Sequence, residues 1–139
     1  MDISENLREE LVNEINFVIS KIREEVDLRK KIFFYSGIYG LVNRIFNIRF
    51  DPQLVFMHLV LNTSFSLIND RINAIVLGKD TLVEIPDNFF DRLCNALEEL
   101  ARNIAEDEDT YTVLQRIATI SYLTTGNGYY LYQKGDLEI

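Results

Sequence analysis

Residues 51–78 read DPQLVFMHLVLNTSFSLINDRINAIVLG, and this stretch decides the fold class. Asp51 can accept hydrogen bonds from the first free backbone N–H groups of a helix, and Pro52 suits the first helical position. Leu54, Met57, Leu61, Phe65, Ile68, Ile72 and Ile75 then recur at spacings of three and four, which puts them on one helix face. Gly78 supplies the stop. From Pro52 to Asn69 there is no Asp, Glu, Lys or Arg. Gln53, His58, Asn62, Thr63, Ser64, Ser66 and Asn69 nonetheless make the stretch too polar for a membrane span, because lipid leaves such groups without water. The reading is a buried helix of a water-soluble bundle.

Upstream, Ile3, Leu7, Leu11, Ile15, Val18, Ile22 and Val26 form a second regular stripe, with Asp2 and Glu5 resembling a capping pair. The stripe approximates a heptad seam, which suits either a core or a second chain. Glu25-Arg29 and Asp27-Lys31 are acid-before-base pairs at i, i+4, so helix is expected to continue through this junction. Residues Ile32 to Phe46 are apolar nearly all round, the mark of a helix central in a core. Gly37 and Gly40 interrupt them; each costs about 1 kcal/mol relative to Ala inside a helix. They either form a turn or admit a close neighbour, and the preferred reading is a continuing or kinked helix.

Downstream of Gly78, Lys79-Asp80-Thr81 reads as a connection and Leu82 to Ile85 as extended, since Ile85 precedes Pro86. A helix follows Pro86-Asp87 with Phe90, Leu93, Leu97, Leu100 and Ile104 inward. The acidic run Glu106 to Asp109 separates it from another built on Val113, Leu114, Ile117, Ile120 and Leu123. Gly126-Asn127-Gly128 breaks helix. Tyr129-Tyr130-Leu131-Tyr132 and Leu137-Glu138-Ile139 then suggest a short hairpin around Lys134-Gly135-Asp136. Such a hairpin is marginal alone and must lie on the helices or on a partner. The expectation is one all-α domain over residues 1–139, an antiparallel bundle of four to five helices with a short extended C-terminal segment.

The chemistry-bearing side chains are few. His58 is the sole histidine and Cys94 the sole cysteine, on different helices. A nucleophile–base pair needs the two side by side, and a zinc site needs several such ligands. His58 also lacks the nearby upstream arginine that the ribonuclease motif of helical HEPN domains requires, Arg49 being too far away. Cys94, beside Leu93 and Leu97, reads as a small buried hydrophobe. Helical nucleotide pyrophosphatases hold Mg²⁺ with paired acidic motifs on facing helices. Glu10 with Glu14, Glu98 with Arg102, and Glu106 with Asp109 share helical spacing, but the second E-x-x-E is missing. No phosphate-binding glycine motif occurs, and Gly126-Asn127-Gly128 lacks the helix that must follow one. No catalytic residue, metal ligand or cofactor is expected.

Charge is uneven along the chain. Residues 1–50 hold eight basic and eight acidic side chains; residues 51–139 hold six and fourteen, so the net −8 lies wholly in the second part. That balance disfavours nucleic acid and anionic lipid as partners. Arg29, Lys30 and Lys31 stand next to Phe33, Phe34 and Tyr35, a cluster suited to docking on another protein. Tyr129, Tyr130 and Tyr132 also need a cover. Together these nine residues are the expected interface of a non-enzymatic oligomerising adaptor or regulatory subunit, with a second copy or another protein as partner. A lone cysteine and an acidic start without signal-peptide features suit the cytoplasm. The competing expectations are an Mg²⁺-dependent nucleotide pyrophosphohydrolase and a small subunit of a ribonucleoprotein, whose RNA contacts would use the same basic cluster.

Overall fold

A computed structural model describes residues 1–78 and 85–125. Five helices occur among them: α1 (Glu5–Glu24), α2 (Leu28–Ile48), α3 (Pro52–Val76), α4 (Phe89–Ala105) and α5 (Tyr111–Tyr122). The predicted all-helical class is therefore observed. The extended reading of Leu82 to Glu84 and the C-terminal hairpin fall outside the described residues.

The helices close into a ring in the order α1, α2, α3, α5, α4 and back to α1. Arg8 on α1 meets Ile104 on α4, and Arg23 meets Asn95, so those two run antiparallel. Successive helices along the chain do likewise where they touch. An odd ring cannot alternate throughout, and the exception is α3 with α5. Phe56 stacks on Tyr111 near both N-terminal ends, and Arg71 reaches Thr124 near both C-terminal ends. This pair is parallel.

Every helix sends its apolar stripe into one shared core. Leu11, Ile15, Ile22, Leu54, Leu61, Ile68, Leu97 and Ile117 have no measurable exposure. Truncating such a side chain to Ala costs about 2–5 kcal/mol, through lost transfer energy and a cavity. A charged side chain also reaches inside. Arg8 donates to the Ile104 carbonyl at 2.7 Å, placing a cation at the C-terminal end of α4 where free carbonyls collect. Its guanidinium also lies 3.3 Å from Asp107, the one non-glycine residue with left-handed backbone among those described.

Helix ends follow local chemistry. Asp51 Oδ1 accepts from the N–H groups of Gln53 (2.8 Å) and Leu54 (3.3 Å), as the Asp-Pro signal predicts. Gly78, with φ of 68°, closes α3. α1 is capped by Ser4, whose hydroxyl accepts from the Leu7 N–H, and not by Asp2. Asp2 instead pairs with Arg49 at the far end of α2.

Two readings of the α1–α2 region need correction. The helix does not continue through the junction: α1 ends at Glu24, and Asp27 caps α2 by accepting from Arg29 and Lys30 N–H. Val26 accordingly leaves the stripe and stands 88% exposed. Nor is α2 central, because a ring has no central member. Its buried side is Ile32, Tyr35, Ile38, Val42 and Ile45, while Phe33 is 71% exposed. Gly37 and Gly40 lie within uninterrupted α2. A Cβ at Gly37 would sit 2.7 Å from the Glu14 carboxylate of α1, so here the close-neighbour reading holds; around Gly40 there is open space. On α4 the inward ring is Phe89, one residue before the predicted Phe90, which is half-buried.

Candidate functional site

His58 is half-buried on the side of α3 that faces α2, its ring 5.2 Å from Phe46 and 6.2 Å from Tyr39. Cys94 is fully buried on α4, which is not next to α3 in the ring. The fold therefore does not bring the two together. Burial pushes the Cys94 thiol up to about 11, outweighing the nearby positive charges of Arg23 and Lys31. A neutral thiol is a poor nucleophile.

The carboxylates are dispersed. Glu98 forms an ion pair with Arg23 across the α1–α4 contact, and Glu14 lies over Gly37. In the acidic connection, a hydrogen bond and the like charge of Glu106 raise Glu108. Among the described residues, no group of three His, Cys, Asp or Glu is placed to share a metal ion.

The predicted interface residues divide. Arg29, Lys30 and Phe33 are exposed at the start of α2, and half-buried Phe34 packs edge-on against Phe33 and Phe17. Phe17 is itself 49% exposed, so these rings form one surface patch. Lys31 turns back: its Nζ donates to the Ile22 carbonyl at 2.7 Å and lies over the Phe90 ring. Tyr35 is wholly buried and cannot belong to a surface. Tyr129, Tyr130 and Tyr132 lie outside the described residues.

A second surface escaped the sequence reading. The outward sides of the parallel pair α3 and α5 carry Leu59 (57% exposed), Asn62, Thr63, Ser66, Tyr111 (52%), Thr112, Gln115, Ala118 and Tyr122 (36%). None is charged. Arg116 is the one charged residue of α5, and its guanidinium is drawn aside to Glu99 on α4. The signal was present in the sequence as the uncharged run Pro52–Asn69. The sequence reading takes that run as a buried helix, yet only Leu54, Met57, Leu61, Ser64 and Ile68 of it are buried.

Between α3 and α5 lies a slot of about 220 Å³ lined by Leu59, Val60, Thr63, Ser64, Leu67, Ala118 and Ser121. Its floor is a chain of hydroxyls. Ser121 Oγ donates to the Ile117 carbonyl at 2.7 Å, which uses its one proton. Ser64 must then donate to Ser121, and Tyr35 to Ser64, at 2.7 Å for the latter pair. Burial raises the Tyr35 phenol well above its ordinary value despite the Ser64 bond, so it remains a donor. A larger groove, between α1 and α4, holds Arg23, Glu24, Glu98 and Arg102 and is open and charged.

No family model matches the chain, and no curated protein or solved structure matches it either. No helix among the described residues is long and apolar enough to cross a membrane.

Proposed function

We propose that the chain is a non-enzymatic oligomerising adaptor or regulatory subunit of the cytoplasm, and that it forms a homodimer through the α3–α5 face. The supporting observation is the missing charge. A quarter of all residues are charged, yet the outward side of α5 and that of α3 from Pro52 to Asn69 have no charged side chain aimed outward. Interface cores are depleted of charge and enriched in aromatic residues, and this face offers Tyr111, Tyr122 and Leu59 beside the Phe56 ring. Two copies at −8 each repel one another through most orientations; contact through an uncharged face lets them approach at least cost.

Light scattering on the purified chain tests this. The expected mass is twice 16.2 kDa, reverting to one copy in Leu59→Glu. A strict monomer at high micromolar concentration contradicts the dimer.

A second reading rests on the other patch. Phe17 and Phe33 are exposed beside Arg29 and Lys30, with the Lys21 ammonium 5.6 Å above the Phe17 ring. Basic groups interleaved with aromatic rings suit a single-stranded RNA within a ribonucleoprotein. That reading predicts RNA binding that weakens steeply with salt and is lost in Arg29→Ala/Lys30→Ala.

A further inference from the structure

We propose that the slot between α3 and α5 is a socket for a tyrosine ring, and that its occupant comes from this chain's own Tyr129, Tyr130 or Tyr132. Size is the first argument. A cavity of about 150 Å³ already holds a benzene ring, and the slot measures about 220 Å³. Leu59, Val60, Leu67 and Ala118 give it aliphatic walls. Chemistry is the second. Because the hydroxyl protons run from Tyr35 to Ser64 to Ser121 to the Ile117 carbonyl, every donor on the floor is spent. What the Ser64 oxygen has left is acceptor capacity, so the fitting guest is a flat apolar ring with one donor. A phenol meets that description; a phenylalanine ring meets only half of it.

Reach is the third argument. Thr124 and Thr125 line a neighbouring groove with Asp70, Arg71 and Leu67, and Leu67 also lines the slot, so the two adjoin at Leu67. From Thr125 back to Ala118 is seven residues, about 10 Å at the helical rise. Four residues of chain span up to ~13 Å, which brings Tyr129 within range and the later tyrosines comfortably so. The inference goes beyond the dimer reading, since a single chain can satisfy it.

The test is NMR on the full chain carrying labelled Ala and Leu methyl groups. Contacts are sought between tyrosine ring protons and the methyls of Ala118, Leu59 and Leu67. Mixing with unlabelled, deuterated chain separates contacts within a chain from contacts between chains. The expected result is within-chain contacts from one of the three tyrosines, abolished by Ala118→Trp, which fills the slot from an exposed position. They vanish equally in Tyr129→Ala/Tyr130→Ala/Tyr132→Ala, which leaves all five helices untouched. Replacing the docked tyrosine by Phe lowers occupancy about fivefold, the loss of one hydrogen bond. No contact at all overturns the proposal, and so do contacts found only between chains. A monomer with within-chain contacts ends the dimer reading and keeps this one; a dimer with an empty socket does the reverse.

Discussion

The Tyr35 hydroxyl lies 2.7 Å from that of Ser64, both side chains buried, and this bond ties α2 to α3 at the point where α3 is tied to α5 through Ser121. Three helices thus share one polar chain inside an apolar core. A buried donor left without its acceptor costs the desolvation of that group, whereas a Ser64 oxygen that loses Tyr35 keeps its bond to Ser121. Ser64→Ala strands the Tyr35 proton and is expected to cost about 2 kcal/mol, against about 1 kcal/mol for Tyr35→Phe. The double variant loses less than the sum, since the stranded proton is gone. Urea unfolding of the four proteins checks the ordering.

Asp51 links the start of α3 to the N-terminal segment, accepting from Gln53, Leu54 and, at 2.8 Å, the Asp2 N–H. Burial pushes its carboxyl up, but the three N–H donors together hold it below the usual carboxylate range. A folded pKa below the unfolded one contributes stability above the unfolded value, near 3.9, and loses it as pH falls through the folded value. Asp51→Ala is expected to cost about 1–2 kcal/mol at pH 7, the difference from wild type narrowing below about pH 4. Thermal unfolding between pH 7 and pH 3 reads this; a difference that widens with acid contradicts it.

A Cβ at Gly40 would meet nothing within 4 Å, whereas a Cβ at Gly37 meets the carboxylate end of Glu14. Gly40→Ala should therefore stabilise α2 by about 0.5–1 kcal/mol, the helix propensity gain alone. Gly37→Ala should gain less, because Glu14 must swing aside. Denaturant midpoints compare the two.

Cys94 combines full burial with a thiol pKa raised to about 11. Its reaction with a disulfide reagent at pH 8 is expected to be slow in the native chain and rapid in denaturant. Rapid labelling of the folded protein would show that α4 opens locally.

Much of this fold was legible because its signals are local and agree with one another. Asp51-Pro52, the stripe from Leu54 to Ile72 and Gly78 all point to one helix, and α3 has those ends. The α1–α2 junction failed because Asp27 carries two meanings. As partner to Lys31 it extends a helix by a few tenths of a kcal/mol; as a cap accepting from Arg29 and Lys30 it is worth about 1 kcal/mol, and the cap prevails. The patch around Phe33 was visible as composition, but which of Phe33, Phe34 and Tyr35 points outward depends on the phase of α2 against its neighbours. The α3–α5 face was hidden for a different reason: it joins helices far apart in sequence, and a run without charge reads the same whether covered by the core or by a partner.

Sedimentation equilibrium of the wild type, Leu59→Glu and Phe33→Glu bears most directly on the central claim. Leu59 and Phe33 are both exposed, so neither substitution disturbs the core. The expected result is a reversible dimer for wild type and Phe33→Glu, with Leu59→Glu weakened at least tenfold, the effect of burying one unpaired carboxylate at an interface. Equal association of all three, or dissociation by Phe33→Glu alone, would contradict a dimer built on α3 and α5.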